Sequence, residues 1–181
     1  MGKNILMGVT GSIAAYKAAD IANNLTKEGY SVTVIMTRGG MQFITPMTLE
    51  TLTKNKVYTD VFEVYDPTVV EHISLAQSAD LVLIAPASAD IMAKAACGIA
   101  DDLLSTALLA VFPETPKLIA PAMNTVMYQN PVTQRNMATL RELGYDFIEP
   151  RVGRLACGTT GTGALAATDQ IIERVKEVLG E

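Results

Sequence analysis

The stretch Ile5-Leu-Met-Gly-Val-Thr-Gly-Ser-Ile-Ala-Ala-Tyr-Lys17 decides the fold class, because a β-rich run passes through a short turn into a helix-like segment. Ile5–Val9 predicts a strand of apolar residues. Ile13–Lys27 has apolar residues at helical spacing and stops at Gly29, a typical residue after a helix end. A strand that leads directly into a helix is the first half of a βαβ unit.

The same alternation continues along the chain. Further strands are predicted at Ser31–Met36, Leu81–Ala85, Lys117–Ala120 and Phe147–Ile148, and further helices at about Ser88–Cys97, Asp101–Val111, Pro131–Leu143 and Thr168–Leu179. Strands that are apolar throughout are typical of a parallel sheet covered by helices on both faces, which is an α/β architecture. Ligands of such folds bind beyond the carboxyl ends of the strands. Two segments, Tyr58–Val70 and the glycine-rich Glu149–Thr168, are predicted to be loops.

The composition predicts one globular domain over residues 1–181. Of the 181 residues, 49% are hydrophobic and 18% are charged, which is enough apolar material for a core. The net charge is −5 and no basic block occurs, so nucleic acid and membranes are excluded as partners. The apolar runs are too short for a signal-peptide core or a bilayer span. Two cysteines and one histidine make neither a disulfide framework nor a zinc site, which favours a cytoplasmic protein.

The turn Thr10-Gly11-Ser12 is a candidate phosphate site, because backbone N–H groups and the helix dipole attract an anion there. The spacing is not Gly-x-Gly-x-x-Gly, and the second strand ends in Met36-Thr37-Arg38 without the acidic residue that holds a ribose. The pattern therefore favours a mononucleotide phosphate over NAD, with a tight turn of small residues as the alternative. Ser88 repeats the arrangement after a later strand, with a plain helix N-cap as its alternative.

Three further residues are candidates for chemistry. His72 is the only histidine and the first acid–base candidate, although a structural role is the alternative. The amide of Asn124 can donate to a carboxylate. Cys157 lies in the glycine-rich segment, where a mobile loop could deliver a proton from a thiol. By contrast, Cys97 is predicted to be a core residue, and Asp101-Asp102 to be ordinary dipole partners at the start of a helix.

Four blocks of the sequence, in order and over nearly the whole chain, resemble the homo-oligomeric flavin-containing cysteine decarboxylases. They are Gly11-Ser-Ile-Ala-Ala-Tyr-Lys17, His72-Ile-Ser-Leu-Ala76, Ala85-Pro-Ala-Ser-Ala-Asp-Ile-Met-Ala-Lys94 with the following Gly98 and Asp101-Asp-Leu-Leu104, and Pro121-Ala-Met-Asn124 with Met127. The family's Asn-Thr pair is replaced here by Asp90-Ile91. This resemblance implies a three-layer Rossmann-like or flavodoxin-like α/β fold with a mostly parallel sheet.

The glycine-rich segment narrows the resemblance to one group within this family. Leu155-Ala-Cys157-Gly158 and Gly161-Thr-Gly163-Ala-Leu-Ala166 look like the substrate-clamping loop of phosphopantothenoylcysteine decarboxylases of the stand-alone form, without a ligase domain. The implied assembly is a homotrimer or an assembly of trimers. FMN would lie at a subunit interface, where His72 serves the flavin of a neighbouring subunit.

The implied reaction is FMN-dependent decarboxylation of 4'-phosphopantothenoylcysteine to 4'-phosphopantetheine in coenzyme A biosynthesis. The carbon that bears sulfur loses a hydride, the resulting thioaldehyde loses CO₂, and the enethiolate is then reduced and protonated, with no net redox change. The resemblance places the FMN phosphate on Gly11, Ser12 and Ile13, the flavin on Thr37, Ser88, Ala89 and Ala122, and the substrate carboxylate on Asn124. It implies that His72 acts as base or positions the substrate, and that Cys157 is the proton donor.

Four alternatives remain open. A peptidyl-cysteine decarboxylase releases the enethiol and does not need the thiol of Cys157. A flavin prenyltransferase does not need the blocks around His72 and Asn124. A catalytically silent regulator would carry long acidic or Ser-rich extensions. A generic NADP-binding domain would use Arg38 for the 2'-phosphate, and the identity of the cofactor would separate it from the others.

Overall fold

In the residues that the computed structural model describes (2–62, 68–154, 158 and 160–180), six parallel strands form a central sheet. These strands are β1 (Asn4–Val9), β2 (Ser31–Met36), β3 (Val57–Tyr58), β4 (Leu81–Ala87), β5 (Lys117–Pro121) and β6 (Tyr145–Phe147). The helices are α1 (Tyr16–Lys27), α2 (Pro46–Thr53), α3 (Glu71–Gln77), α4 (Ala89–Cys97), α5 (Leu103–Ala110), α6 (Thr125–Gln129), α7 (Pro131–Glu142) and α8 (Thr168–Leu179). The strand order is β3-β2-β1-β4-β5-β6, and β7 (Arg151–Arg154) and β8 (Thr160–Ala164) form a separate antiparallel pair.

Both faces of the sheet are buried, as the apolar strands predict. Along β1, Ile5 and Met7 belong to one hydrophobic cluster, which includes residues of α1 and α8. Leu6 points into a second cluster on the opposite face, formed with α4, α5 and α7. A Cβ at Gly8 would lie 2.9 Å from the side chain of Leu104, so the helix packs directly on the backbone of the strand there. The three-layer α/β fold is therefore confirmed.

Most predicted elements occur, with small shifts at their ends. The bounds of β2 and α8 are as predicted, whereas β6 begins two residues earlier than expected. The strand predicted at Leu81–Ala85 is too short, because β4 continues through Pro86 to Ala87 with an irregularity in its pairing with β5. A proline is tolerated at such a position because it need not donate a ladder hydrogen bond. No helix in the described part of the chain is long and apolar enough to cross a membrane.

The glycine-rich segment is not the plain loop that its composition predicts. Its two ends form the antiparallel pair β7–β8, in which Arg151 lies opposite Ala164 and Gly153 opposite Gly161. Glycine has a low β-strand propensity, so local propensity did not predict this pairing. Cys157 lies between the two strands, outside the described residues.

Candidate functional site

A cavity of about 600 Å³ opens at the carboxyl ends of the adjacent strands β1, β4 and β5. This volume lies within the usual range for small-molecule sites, roughly 300–1,000 Å³. Four segments line it: Gly11–Ala14 with Tyr16 and Lys17, Ser88 with Ala89, Ala122–Asn124 with Met127, and Gly163–Leu165. The turns after three different strands and the end of β8 thus enclose one space.

A buried threonine holds two of these turns together. Thr10 is only 1% exposed, and its hydroxyl donates to the carbonyl oxygen of Pro86 at 2.6 Å. The hydroxyl oxygen of Thr10 also accepts from the backbone N–H of Ser88 at 2.9 Å. Because both bonds join the end of β1 to the end of β4, this one side chain sets how the two turns meet at the cavity.

The turn after β1 is built for close approach of a ligand to the backbone. Ser12 is the N-cap of a short 3₁₀ turn (Ile13–Ala15) that leads into α1, and its hydroxyl accepts from the N–H of Ala14 at 3.3 Å. Gly11 faces Gly39, and a Cβ on Gly11 would come within 3.2 Å of the Cα of Gly39. Backbone N–H groups at the start of a helix, without a side chain in front of them, favour a phosphate.

Ser88, in the turn after β4, is both a helix N-cap and a residue of the cavity wall. Its hydroxyl caps α4 by accepting from the N–H of Ile91 at 3.4 Å, and the residue also lines the cavity. Ala89 and Ala122 contribute small side chains to the same wall. Thr37 is different: in the described residues it does not line the cavity, and its hydroxyl accepts from the N–H of Gly40 at 3.2 Å.

Asn124 lines the cavity from the turn after β5, where a hydrogen bond holds its amide in a defined direction. It is the N-cap of α6, and its Oδ1 accepts from the N–H of Val126 at 2.8 Å. The preceding residue, Met123, donates its N–H to the carbonyl oxygen of Gly163 at 2.9 Å. A Cβ on Gly163 would lie 2.3 Å from the carbonyl oxygen of Met123, so β8 docks against this loop only through a glycine.

The structure gathers most, but not all, of the predicted site residues. Those at the cavity are Gly11, Ser12, Ile13, Ser88, Ala89, Ala122 and Asn124. His72 lies elsewhere, half-buried in the first turn of α3, and does not line the cavity of its own chain in the described residues.

Sequence reasoning missed several lining residues. Tyr16 and Lys17 follow Ile13 at three and four positions, the spacing that places residues on one helix face, and this signal could have revealed them. Gly163–Leu165 belong to the segment that resembles a substrate-clamping loop, but no local pattern placed them at this cavity, because the docking of β8 brings them there.

An ion network lies on the α4–α5 side of the sheet. The ammonium of Lys94 contacts carboxylate oxygens of Asp90 at 3.3 Å, Asp101 at 2.9 Å and Asp102 at 3.1 Å. The hydrogen bond to Asp101 contributes most to the raised pKa of Lys94, and the same bond lowers the pKa of Asp101. Asp102 is the N-cap of α5, in a capping box with Ser105. The two aspartates therefore serve this network and the cap rather than only the helix dipole.

The prediction for Cys97 is wrong. Its side chain is exposed, because it is the last residue of α4 and its position turns away from the core there. In the described part of the chain, no group of three His, Cys, Asp or Glu side chains could hold a metal ion.

Known proteins are similar to this chain over almost its whole length. The chain is 53% identical over 179 residues to a probable phosphopantothenoylcysteine decarboxylase of Streptococcus mutans, covering 99% of this chain and all of that protein. It is 44% identical over 179 residues to the coenzyme A biosynthesis bifunctional protein CoaBC of Bacillus subtilis, covering 99% of this chain but only 44% of that protein.

A solved structure shares the whole fold. It is a cysteine-to-serine mutant of PPC decarboxylase complexed with pantothenoylaminoethenethiol, with a TM-score of 0.91, 34% identity and coverage of 100% of both chains. The model of the family described as Flavoprotein matches residues 1–180 of this sequence. The chain therefore belongs to the flavoprotein family.

Proposed function

We propose that this chain is an FMN-dependent carboxy-lyase, one decarboxylase domain that converts 4'-phosphopantothenoylcysteine to 4'-phosphopantetheine and CO₂ in coenzyme A biosynthesis. The observation that carries this proposal is the single cavity that joins the phosphate-type turn at Gly11–Ile13 to the amide of Asn124. One side of that cavity suits a nucleotide phosphate, and the other suits a carboxylate. The relatives named as phosphopantothenoylcysteine decarboxylases support the same substrate.

The residues present fit FMN. The glycine pair Gly11 and Gly39 keeps the backbone at the start of α1 open to a phosphate. The small side chains of Ala89 and Ala122 leave room for a flat ring system along one wall. Bound FMN supplies a two-electron acceptor that takes a hydride from the carbon bearing sulfur and later returns it, which the amino acids of this chain cannot do.

The chain's own residues would bind and protonate the substrate. The Asn124 amide, directed by its bond to the Val126 N–H, would hold the carboxylate that leaves as CO₂. The thiol of Cys157, in the sequence between β7 and β8, would give its proton to the carbon of the enethiolate. The relative crystallised with pantothenoylaminoethenethiol carries a cysteine-to-serine change, which supports a thiol that acts after CO₂ has left.

A homotrimer, alone or within a larger assembly, would bring His72 to a second subunit's cavity, where it would act as the base. Support comes from the exposed apolar residues Val70 and Ile73 beside His72 on α3, and from Leu109 and Phe112 on or after α5, which packs against α3. Such apolar surface is typical of subunit contacts. Co-assembly of the inactive variants His72→Asn and Asn124→Ala tests this arrangement. Recovered activity in the mixed oligomer is expected, because some sites then carry one intact residue from each subunit.

The low cysteine content supports action in the cytoplasm, which fractionation of cells tests. A peptidyl-cysteine decarboxylase is the second candidate, since it would use the same cavity without a proton-donating thiol. The two functions differ in product: a reduced thiol for the proposed enzyme and an enethiol for the alternative.

The first experiment is the visible spectrum of the purified protein, with mass identification of whatever heat releases. The expected result is a flavin spectrum with released FMN, followed by conversion of 4'-phosphopantothenoylcysteine to 4'-phosphopantetheine. A protein that stays colourless after addition of FMN would contradict the proposal. Production of an enethiol by the wild-type protein would favour the peptidyl-cysteine enzyme instead.

A further inference from the structure

Two cations lie near each other beside the cavity: Lys17 lines it, and Arg151 is close enough for its charge to act on Lys17. Lys17 lines the cavity from the first turn of α1. Arg151 begins β7 and lies directly opposite Ala164, which lines the cavity from β8. Directly opposite residues in an antiparallel pair place their side chains on the same face of the sheet. The pairing therefore places Arg151 directly beside a residue that lines the cavity.

Neither cation has a carboxylate within salt-bridge distance in the described part of the chain. The ammonium of Lys17 lies 5.9 Å from the centre of the Tyr16 ring, a weak cation–π contact that leaves its charge uncompensated. Burial, and next the nearby charge of Arg151, lower the pKa of Lys17. Two like charges held together at a cavity repel each other unless an anion lies between them.

Several cations away from the cavity do have carboxylate partners. Lys94 contacts three aspartates, Arg141 pairs with Glu149, and Lys176 pairs with Glu28. Arg38 follows β2 and does not line the cavity in the described residues. Among the cavity-lining residues of the described chain Lys17 is the one cation, and Arg151 adds its charge from the neighbouring strand β7.

We propose that Lys17 and Arg151 together bind the terminal phosphate of the substrate and so select a phosphorylated cysteine amide over an unphosphorylated or peptidyl one. This inference rests on the function proposed above. The guanidinium of Arg151 offers a planar pair of donors that matches two phosphate oxygens, and the ammonium of Lys17 adds a compact point charge. The reacting end of the substrate would then lie at Asn124, on the other side of the same cavity.

The phosphate of FMN is the alternative ligand for Lys17 and Arg151. The turn at Gly11–Ile13 already offers backbone donors and the positive end of α1 for that group. The pair Lys17 and Arg151 is therefore assigned to a second phosphate. FMN affinity and substrate selectivity, measured on the same variants, distinguish the two sources.

The test uses Lys17→Gln and Arg151→Gln in the FMN-loaded protein, with Lys27→Gln and Arg135→Gln as matched controls. Both control residues are exposed and lie outside the cavity. For each protein, kcat/KM is measured with 4'-phosphopantothenoylcysteine and with pantothenoylcysteine, and the Kd for FMN is measured by fluorescence. Inhibition by inorganic phosphate provides a direct probe of the anion site.

Each site variant is expected to lose about tenfold or more in kcat/KM for the phosphorylated substrate, with a much smaller change for the unphosphorylated one. Inhibition by inorganic phosphate should weaken in parallel, and the controls should behave like the wild type. An unchanged ratio between the two substrates, or a loss confined to FMN affinity, would overturn the inference while leaving the decarboxylase intact. A wild-type protein that acts on neither substrate would overturn the proposed function, and the inference with it.

Discussion

The hydroxyl of Thr10 accepts a hydrogen bond from the backbone N–H of Ser88 at 2.9 Å, across 78 positions of sequence. The same hydroxyl donates to Pro86 at 2.6 Å, so one buried side chain satisfies polar groups of two strand ends at once. The wall that carries Ser88 and Ala89 thus takes its position from a residue that does not itself line the cavity in the described part of the chain.

Replacement of this threonine by valine should separate the two turns. Thr10→Val keeps the shape but leaves the Ser88 N–H and the Pro86 carbonyl without their partner, which should lower the free energy of unfolding by about 1–3 kcal/mol. Affinity for FMN should fall as well. Urea denaturation and flavin fluorescence measure the two effects. Thr10→Ser retains the hydroxyl and should lose less of both, whereas equal behaviour of the two variants would contradict the role of these bonds.

A side chain at Gly163 should displace the β7–β8 hairpin. The backbone φ of Gly163 is +140°, and a Cβ there would lie 2.3 Å from the carbonyl oxygen of Met123. Gly163→Ala should therefore cost at least about 1–3 kcal/mol at this contact and abolish most turnover. Gly153→Ala on the partner strand is the control, because its Cβ would make an ordinary 3.7 Å contact.

Limited proteolysis of the two glycine variants should cut Gly163→Ala faster than Gly153→Ala near the hairpin. Equal rates of proteolysis and equal turnover would show that docking through Gly163 is unimportant. Circular dichroism of both proteins should remain that of an α/β fold, since the central sheet does not include the hairpin.

Removal of the thiol in the glycine-rich segment should change the product. We expect Cys157→Ser to continue decarboxylation but to accumulate an enethiol lighter than the normal product by two hydrogen atoms, because proton delivery to the enethiolate is lost. Mass spectrometry of the reaction mixture identifies it. Cys97→Ser is a matched control, since this exposed cysteine ends α4 and does not line the cavity in the described residues. Normal product at the normal rate from Cys157→Ser would contradict the assignment.

The stability contributed by Lys94 should depend on pH. Its hydrogen bond holds the pKa of Asp101 below the ordinary value of 3.8, so the charged carboxylate stabilises the fold above that pH. As the pH falls through the lowered pKa, this contribution is lost. Lys94→Gln should consequently be less stable than the wild type at pH 7, and the difference should shrink at about pH 3.

Denaturation curves at both pH values test the Lys94 prediction, with Lys27→Gln as the control. A difference in stability that is the same at both pH values would show that the ion network does not act through its carboxylates. The network also pairs Asp90 with Lys94, so flavin retention should be measured alongside stability, since Asp90 stands where the resembling family has Asn.

The local hydrophobic pattern predicted the secondary structure well where burial on both faces of the sheet requires apolar residues. The bounds of β2 and α8 followed from their hydrophobic patterns alone. The short helix α2 and strand β3 were missed, since two to eight residues carry too little periodicity to be recognised. The register of the β7–β8 hairpin was also missed, because its glycine-rich strands depend on a contact with Met123.

The sequence by itself determined the α/β fold. It also indicated that Gly11–Ile13, Ser88 and Asn124 meet at one site, because turns after parallel strands converge at one edge of a sheet. Only the tertiary structure decided that Arg151 lies near the cavity residue Lys17, and that His72 does not line the cavity of its own chain in the described residues. Those relations join residues far apart in sequence through packing and backbone hydrogen bonds, and no local pattern encodes them.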